Sequence, residues 1–387
     1  MKKKSKIYVI EPWMRDQAHA PFNAGFIKII QDVYPSHDIL FHAERKHINR
    51  VNAKMNRPLE SYKIHLFPLC NIYILPLFDL VSMIYPLFIL FMKSKREDII
   101  ILTTRLPITH ILFNLFNSIY KRKCFMPLHG EMETFINPKG IGFSRYYFYL
   151  NKLAFMLAGK WSNYVILGEP IKQKIEKRVS FVKSNIICID HPIDENIENQ
   201  ITKLQNPIKI VFVGRAAKQK KAELLFYLAQ KLQYEIENNI LSIEIVGEVE
   251  DAVLKSSNQL VIYHIDKGYI DSSLYESKIA SSHFFICFLD NKSYQAVPSG
   301  TFMDALKYEK PIIALRGNNF IDYYFSKYND IGYLCDDIYK MKNILQTISC
   351  DLDSVKYENQ VNNIKNAKRE FFSTYIQNIF KSQLKNL

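Results

Sequence analysis

IKIVFVGRAAKQKK, residues 208–221, decides the fold. Five of its first six residues are apolar, the pattern of a strand buried on both faces of a parallel sheet. Gly214 follows at the point where such a strand must turn. A residue without Cβ turns there freely and leaves room for a ligand. Arg215, Lys218, Lys220 and Lys221 come next, and residues 221–236 carry a helical pattern. Strand, glycine turn and helix form one unit of a doubly wound sheet, whose ligands bind beyond the carboxyl ends of the strands.

The same alternation continues downstream: SIEIVG (242–247), LVIYH (260–264), a helix over 272–281, FFICFL (284–289), a helix over 300–308 and PIIAL (311–315). Upstream it is looser. KIYVI (6–10), DIIIL (98–102), NYVIL (163–167) and IICI (186–189) read as strands, with helices over 26–34 and 145–158. The polar stretch 191–207, bracketed by Pro192 and Pro207, reads as a linker. The 387 residues therefore suit two α/β domains. The expected architecture is two Rossmann-like domains facing across a cleft. They cover 1–198 and 207–364, and a C-terminal amphipathic helix in 365–387 packs back toward the first domain.

Composition limits the partners. The net charge is +13, with 48% hydrophobic residues, which excludes a disordered chain. Residues 1–200 hold 28 Lys and Arg against 17 Asp and Glu, so the excess lies almost wholly in the first half. That half calls for an anionic partner, or is basic only for solubility. The six cysteines contain no CxxC pair, which points to a reducing compartment and no zinc site. Lys2, Lys3, Lys4 and Lys6 precede an apolar run too short for a secretory leader. Residues 66–91 are apolar but broken by Pro68, Pro76, Pro86 and Asp79. They read as helices lying on one leaflet, flanked by Lys93, Lys95 and Arg96, with a buried helix pair or a true span as the alternatives.

Three groups of loop residues could carry chemistry. Arg215 and Lys220 behind Gly214 suit a diphosphate, the first as a fork and the second as a point charge. Ser299-Gly300-Thr301 opens a helix, where amides and hydroxyls form an anion site, and Asp304 one turn on could accept from ribose hydroxyls. Pro127-Leu128-His129-Gly130-Glu131 follows an apolar run, so His129 and Glu131 should stand at a strand end. His129 could bond a sugar hydroxyl and Glu131 could act as a general base. Gly168-Glu169-Pro170 after strand 163–167 has a similar position. No GxxxxGK[ST], no GxGxxG after the first strand, no DxD in a loop after a strand and no HExxH occurs, which argues against nucleotide triphosphatases, dinucleotide oxidoreductases and metal-dependent transferases; Asp351-Leu352-Asp353 reads as surface charge.

Taken together these residues resemble the GT-B glycosyltransferases, in particular the large retaining family of bacterial capsule and lipopolysaccharide enzymes. That family ends a strand in G-R-x(4)-K, here Gly214, Arg215 and Lys220. It then has E-x(7)-E before G-K-P and an apolar strand. Here Asp304 falls at the second acidic position, Ala296 at the first, and Glu309-Lys310-Pro311 at the end. The resemblance implies that Arg215 and Lys220 bind the donor diphosphate and that Asp304 binds the ribose. It further places Gly247, Tyr269, Ile270, Ser299, Gly300 and Thr301 around the nucleotide. In the first domain it implies that His19, Asn23 and Gly25 face the acceptor and that His129 lies near the sugar. Gly25 is expected to open the helix over 26–34.

The function expected from this is a metal-independent glycosyltransferase with no cofactor beyond its nucleotide sugar donor. The acceptor would be a glycan or lipid-linked oligosaccharide in cell-surface polysaccharide synthesis, reached from the cytoplasmic face of the membrane. A sugar-nucleotide epimerase of the same fold and a non-catalytic basic binding protein are the alternatives. No nucleic-acid motif accompanies the basic charge.

Overall fold

The structure, a computed structural model, describes residues 4–55, 58–63, 87–136, 143–177, 185–195, 201–264, 270–290, 292 and 294–385. The chain divides into two compact units. One comprises 1–194, 296–298 and 371–387, and the other 195–295 and 299–370.

The first unit is built on seven strands: β1 (Lys6–Ile10), β2 (Asp38–Ala43), β3 (Glu60–Lys63), β4 (Ile99–Leu102), β5 (Lys123–Leu128), β6 (Ser162–Leu167) and β7 (Asn185–Ile189). Their order in the sheet is β3-β2-β1-β4-β5-β6-β7, and the neighbours pair in parallel. The central strands bury every residue of IIIL in β4 and of SNYVIL in β6, because helices cover both faces of a parallel sheet. The order reverses direction between β1 and β4.

Helix Ser373–Leu384 belongs to this unit. Ile376 and Phe380 are fully buried, and the Phe380 ring meets Phe26 and Phe125 at 6.2 and 5.4 Å. Its Gln383 side chain completes the outer edge of the sheet. Cys188 N donates to Gln383 Oε1 at 2.8 Å, and Gln383 Nε2 donates to Cys188 O at 2.6 Å. One amide thus serves as the missing strand partner of β7, leaving less of that edge open to another chain. The sequence suggested one helix in 365–387. The chain instead forms Ser354–Lys368, a short 3-10 turn at Arg369–Phe371, and then Ser373–Leu384.

The second unit has six parallel strands: β8 (Ile208–Val213), β9 (Leu241–Val246), β10 (Val261–Tyr263), β11 (Phe284–Cys287), β12 (Ile312–Leu315) and β13 (Gly332–Cys335). They lie in the order β10-β9-β8-β11-β12-β13, with the reversal between β8 and β11. The core runs through Phe212, Ile243, Phe284 and Ile313 under the helix Glu223–Lys231. The single helix expected over 221–236 is two, Glu223–Lys231 and Gln233–Glu237, joined at Leu232.

Candidate functional site

In an open parallel sheet the ligand crevice lies where the strand order reverses, because the loops leaving the two adjacent strands diverge there. In the second unit those strands are β8 and β11. The loop after β8 begins at Gly214, which has φ +88, a left-handed value that favours glycine. Gly247 ends the neighbouring β9 with φ +151, and a Cβ there would run into the backbone of Gly214. Two glycines therefore let two strand ends pass each other. Gly247 serves this close approach.

Lys220 lies over this turn. Its Nζ would stand 3.3 Å from a Cβ on Gly214 and is 5.8 Å from the Phe212 ring centroid. Burial pushes the Lys220 amine below its usual range, while Cys287 and Asp304 oppose the shift. Lys220 makes no ion pair among the described residues. Arg215 differs. Its side chain is 63% exposed, and Nε lies 3.3 Å from Glu250 and 3.7 Å from Glu248. The bridge between Ala216 and Val249 brings that strand end alongside, with Glu250 N donating to Ala216 O at 3.0 Å. The two basic residues, alike in the sequence, are thus in different states: one paired at the surface, the other held half-buried.

After β11 the chain reaches helix Gly300–Lys307. Ser299 is its N-cap, and Phe302 N donates to Ser299 Oγ at 3.2 Å. The Thr301 hydroxyl does not face an anion as expected. It donates to Val213 O at 3.0 Å and ties the helix start to the end of β8. What remains for an anion is the amides of Gly300 and Thr301, which have no protein acceptor among the described residues. A Cβ on Gly300 would meet nothing within 4 Å, so open space lies beside it. One turn on, Asp304 Oδ2 accepts from Tyr275 Oη at 2.8 Å. Burial raises the Asp304 carboxyl above its usual value, against the pull of Tyr275, Lys307 and Lys220. Lys220, the Gly300 amide end and Asp304 are therefore gathered around one reversal point. Ile270 lies just before Asp271, the N-cap of helix Ser272–Ala280. Tyr269 lies outside the described residues, as do 66–86.

In the first unit the reversal lies between β1 and β4, and the loops after β1, β4 and β5 carry the polar groups. Glu11, directly after β1, is completely buried. Its carboxylate accepts from Trp13 N and Met14 N at 3.1 Å, Asn23 Nδ2 at 3.1 Å and Thr103 Oγ1 at 2.8 Å, and it also bonds Thr104. Asn23 is therefore no accessible acceptor contact. It is fully buried and joins Glu11 to His47 Nε2, 2.9 Å away. Gly25 does not open a helix either. The helix runs Ala20–Val33 behind His19, which sits at the cap with φ 57. Gly25 lies in its second turn, where a Cβ would come within 2.9 Å of Pro192 Cβ, so packing requires the glycine. The periodic run from Phe26 hid the earlier start at Ala20-Pro21.

His19 and His129 do come together. Their ring centroids are 4.4 Å apart, and Phe22 contacts His129 at 4.5 Å and His191 at 5.0 Å. Burial, then the neighbouring histidines and Arg105, pushes His129 well below the usual imidazole range. Burial likewise brings His191 down to about 4 and lowers His19. The cluster is neutral at neutral pH. His129 Nε2 and His19 Nδ1 are buried with no hydrogen-bond partner among the described residues. Glu131 does not stand as an unengaged base: one oxygen accepts from His129 N at 2.7 Å and the other lies 3.5 Å from Arg105 Nη1. Arg105 and His191 were missed in the sequence. Arg105 sits three residues past β4 in Thr-Thr-Arg-Leu-Pro, and its position beyond a strand end was the available signal.

Two parallel sheets of these orders, each with its ligand loops at one reversal point, make this a GT-B-fold chain. Its structural likenesses are to glycosyltransferases. HepE of Anabaena, in complex with UDP and glucose, has a TM-score of 0.67 at 12% identity, with 100% of both chains covered. TarM has a TM-score of 0.66 at 13% identity, with 99% of each chain covered. Sucrose-phosphate synthase of Thermosynechococcus elongatus has a TM-score of 0.66 at 12% identity, covering 99% of this chain and 98% of that one. No family model and no curated protein matches the sequence.

Proposed function

We propose that the chain is a glycosyltransferase that takes a sugar from a nucleoside diphosphate sugar. The observation that carries this is Lys220, a half-buried ammonium without an ion pair among the described residues. It shares the β8/β11 reversal point with Asp304 and with the unpartnered amides of Gly300 and Thr301. A diphosphate leaving group gains negative charge as the glycosidic bond to it breaks. Fixed donors in a site of low dielectric stabilise that charge without reorganising. Lys220 supplies the charge, the two amides supply dipoles, and the carboxylate of Asp304 accepts from the ribose. Arg215 reaches the same group once it leaves Glu248 and Glu250.

The first unit holds the acceptor. His19 and His129 present unpartnered ring nitrogens suited to hydroxyl groups. The acceptor is a glycan or lipid-linked oligosaccharide of cell-surface polysaccharide synthesis, met at the cytoplasmic membrane face. In support, helix Pro107–Tyr120 exposes Leu115 and Ile119, and Phe88 and Met92 are exposed beside the basic residues Lys93, Lys95 and Arg96. Apolar side chains next to lysines suit an anionic leaflet. Among the described residues no helix is long and apolar enough to cross a membrane.

Titration calorimetry with UDP, GDP, TDP and CMP in EDTA tests the donor site, with UDP first because HepE is known as its complex. Micromolar binding of one nucleotide, weakened about 10- to 100-fold in Lys220→Met, is expected. Binding of none would overturn the reading.

A further inference from the structure

Glu131 and Arg105 are joined, and His129 stands at the end of the connection. The Arg105 side chain is 1% exposed. Its Nη1 donates to Pro127 O at 2.9 Å, two residues before His129, and lies 3.5 Å from Glu131 Oε1. The other Glu131 oxygen accepts from the backbone N of His129 at 2.7 Å. The guanidinium of one strand end thus grips the loop of the next strand from both sides of His129. The backbone of Thr103, after β4, lies beside the His129 ring and favours a proton on the side that faces it. Nε2 has no partner among the described residues, which leaves Nδ1 as the nitrogen turned to Thr103.

We propose that Arg105 and Glu131 are a positioning couple that presents the unpartnered Nε2 of His129 as a hydrogen-bond acceptor for a substrate hydroxyl. With its proton on Nδ1, directed to the Thr103 carbonyl, the neutral ring leaves a lone pair on Nε2. The charged and titratable groups around the ring are His19, His191, Arg105 and Glu131. The Arg105 charge opposes protonation of the ring, as do the two histidines. Glu131 is engaged by Arg105 and by an amide, so its task is to hold the loop and not to remove a proton. Both act through His129.

The role in turnover rests on the proposed transferase activity, but the geometry is tested without it. Nitrogen-15 NMR of the imidazoles in the full chain should show His129 in the Nδ1–H form and still neutral at pH 6.5, the ordinary midpoint. In Arg105→Met the His129 titration should move upward, and in Arg105→Lys, which keeps the charge, it should move less. In Glu131→Gln, acceptor kcat/KM should fall by less than about 10-fold with nucleotide affinity unchanged. A general base would instead cost about 10²–10⁴-fold. An Nε2–H tautomer, a titration unmoved in Arg105→Met, or a loss of 100-fold or more in Glu131→Gln would each overturn the proposal. Should Arg105→Met fail to fold, the wild-type tautomer and Glu131→Gln still decide it. Failure of nucleotide binding in the wild type would count against the transferase reading alone.

Discussion

The hydroxyl of Tyr275 donates to Oδ2 of Asp304 at 2.8 Å, joining helix Ser272–Ala280 to the second turn of helix Gly300–Lys307. One carboxylate oxygen is thereby fixed and the other is left for a ligand. Tyr275→Phe should weaken UDP binding about 3- to 10-fold, the size of one ordinary hydrogen bond, because it acts on the ligand only through Asp304. Asp304→Asn should cost more for UDP than for its 2′,3′-dideoxy analogue. Equal losses for the two ligands in calorimetry would remove Asp304 from the ribose.

Lys220 and Arg215 are expected to differ. Lys220→Met removes an ammonium aimed at the reversal point and should lower nucleotide affinity by about 10- to 100-fold, the worth of charge-assisted hydrogen bonds. Arg215→Ala first releases a surface pairing with Glu248 and Glu250, and exposed pairs contribute little. Its affinity loss should be several-fold smaller. Parallel titrations check the order, and a larger effect from Arg215 would reverse the assignment.

Gly247→Ala should destabilise the second unit by about 1–3 kcal/mol or more, since φ +151 suits glycine and the new methyl meets the Gly214 backbone. Urea unfolding measures this. Nucleotide affinity should fall with it, because Gly214 cradles Lys220.

Phe380→Ala should cost about 3–5 kcal/mol, the usual loss for a buried phenylalanine. Gln383→Ala should cost about 1–2 kcal/mol and speed hydrogen exchange at Cys188, whose amide it caps. Unchanged exchange there would mean that the amide finds another acceptor.

Acid should destabilise the fold through its buried histidines before ordinary surface carboxylates are protonated. His42 and His191 are held down to about 4 by burial, against 6.5 in an unfolded chain. Below 6.5 the unfolded state therefore binds more protons than the folded one. The stabilising effect of the neutral rings is complete above 6.5 and is lost as the pH falls toward 4. Melting temperatures followed by circular dichroism should be level above 6.5 and fall below it, less steeply in His191→Phe.

Much of the second unit was legible because its strands are short apolar runs ending in glycine. IKIVFVG and SIEIVG give β8 and β9 to within a residue, and Ser299-Gly300-Thr301 marks a helix start by its capping chemistry. β2, β3 and β13 were not read: DILFHA, ESYK and GYLC mix polar and apolar residues, and their strand state comes from pairing with neighbours. At the candidate sites the sequence located the loops but not the partners of their side chains. Asn23 looked like a loop contact and is a buried link, since Glu11 and His47 reach it from other segments.

The sequence by itself determined two parallel α/β units and the loops that leave their strands, because strand period, glycine turns and helix caps are local properties of consecutive residues. Only the tertiary structure decided which polar groups are engaged. Among the described residues Arg215 is paired and Lys220 is not, Thr301 is bonded to Val213, and Glu131 is held by Arg105. Those outcomes depend on strand order, which brings residues 20–100 positions apart within hydrogen-bond distance, and no local pattern in the chain encodes that distance.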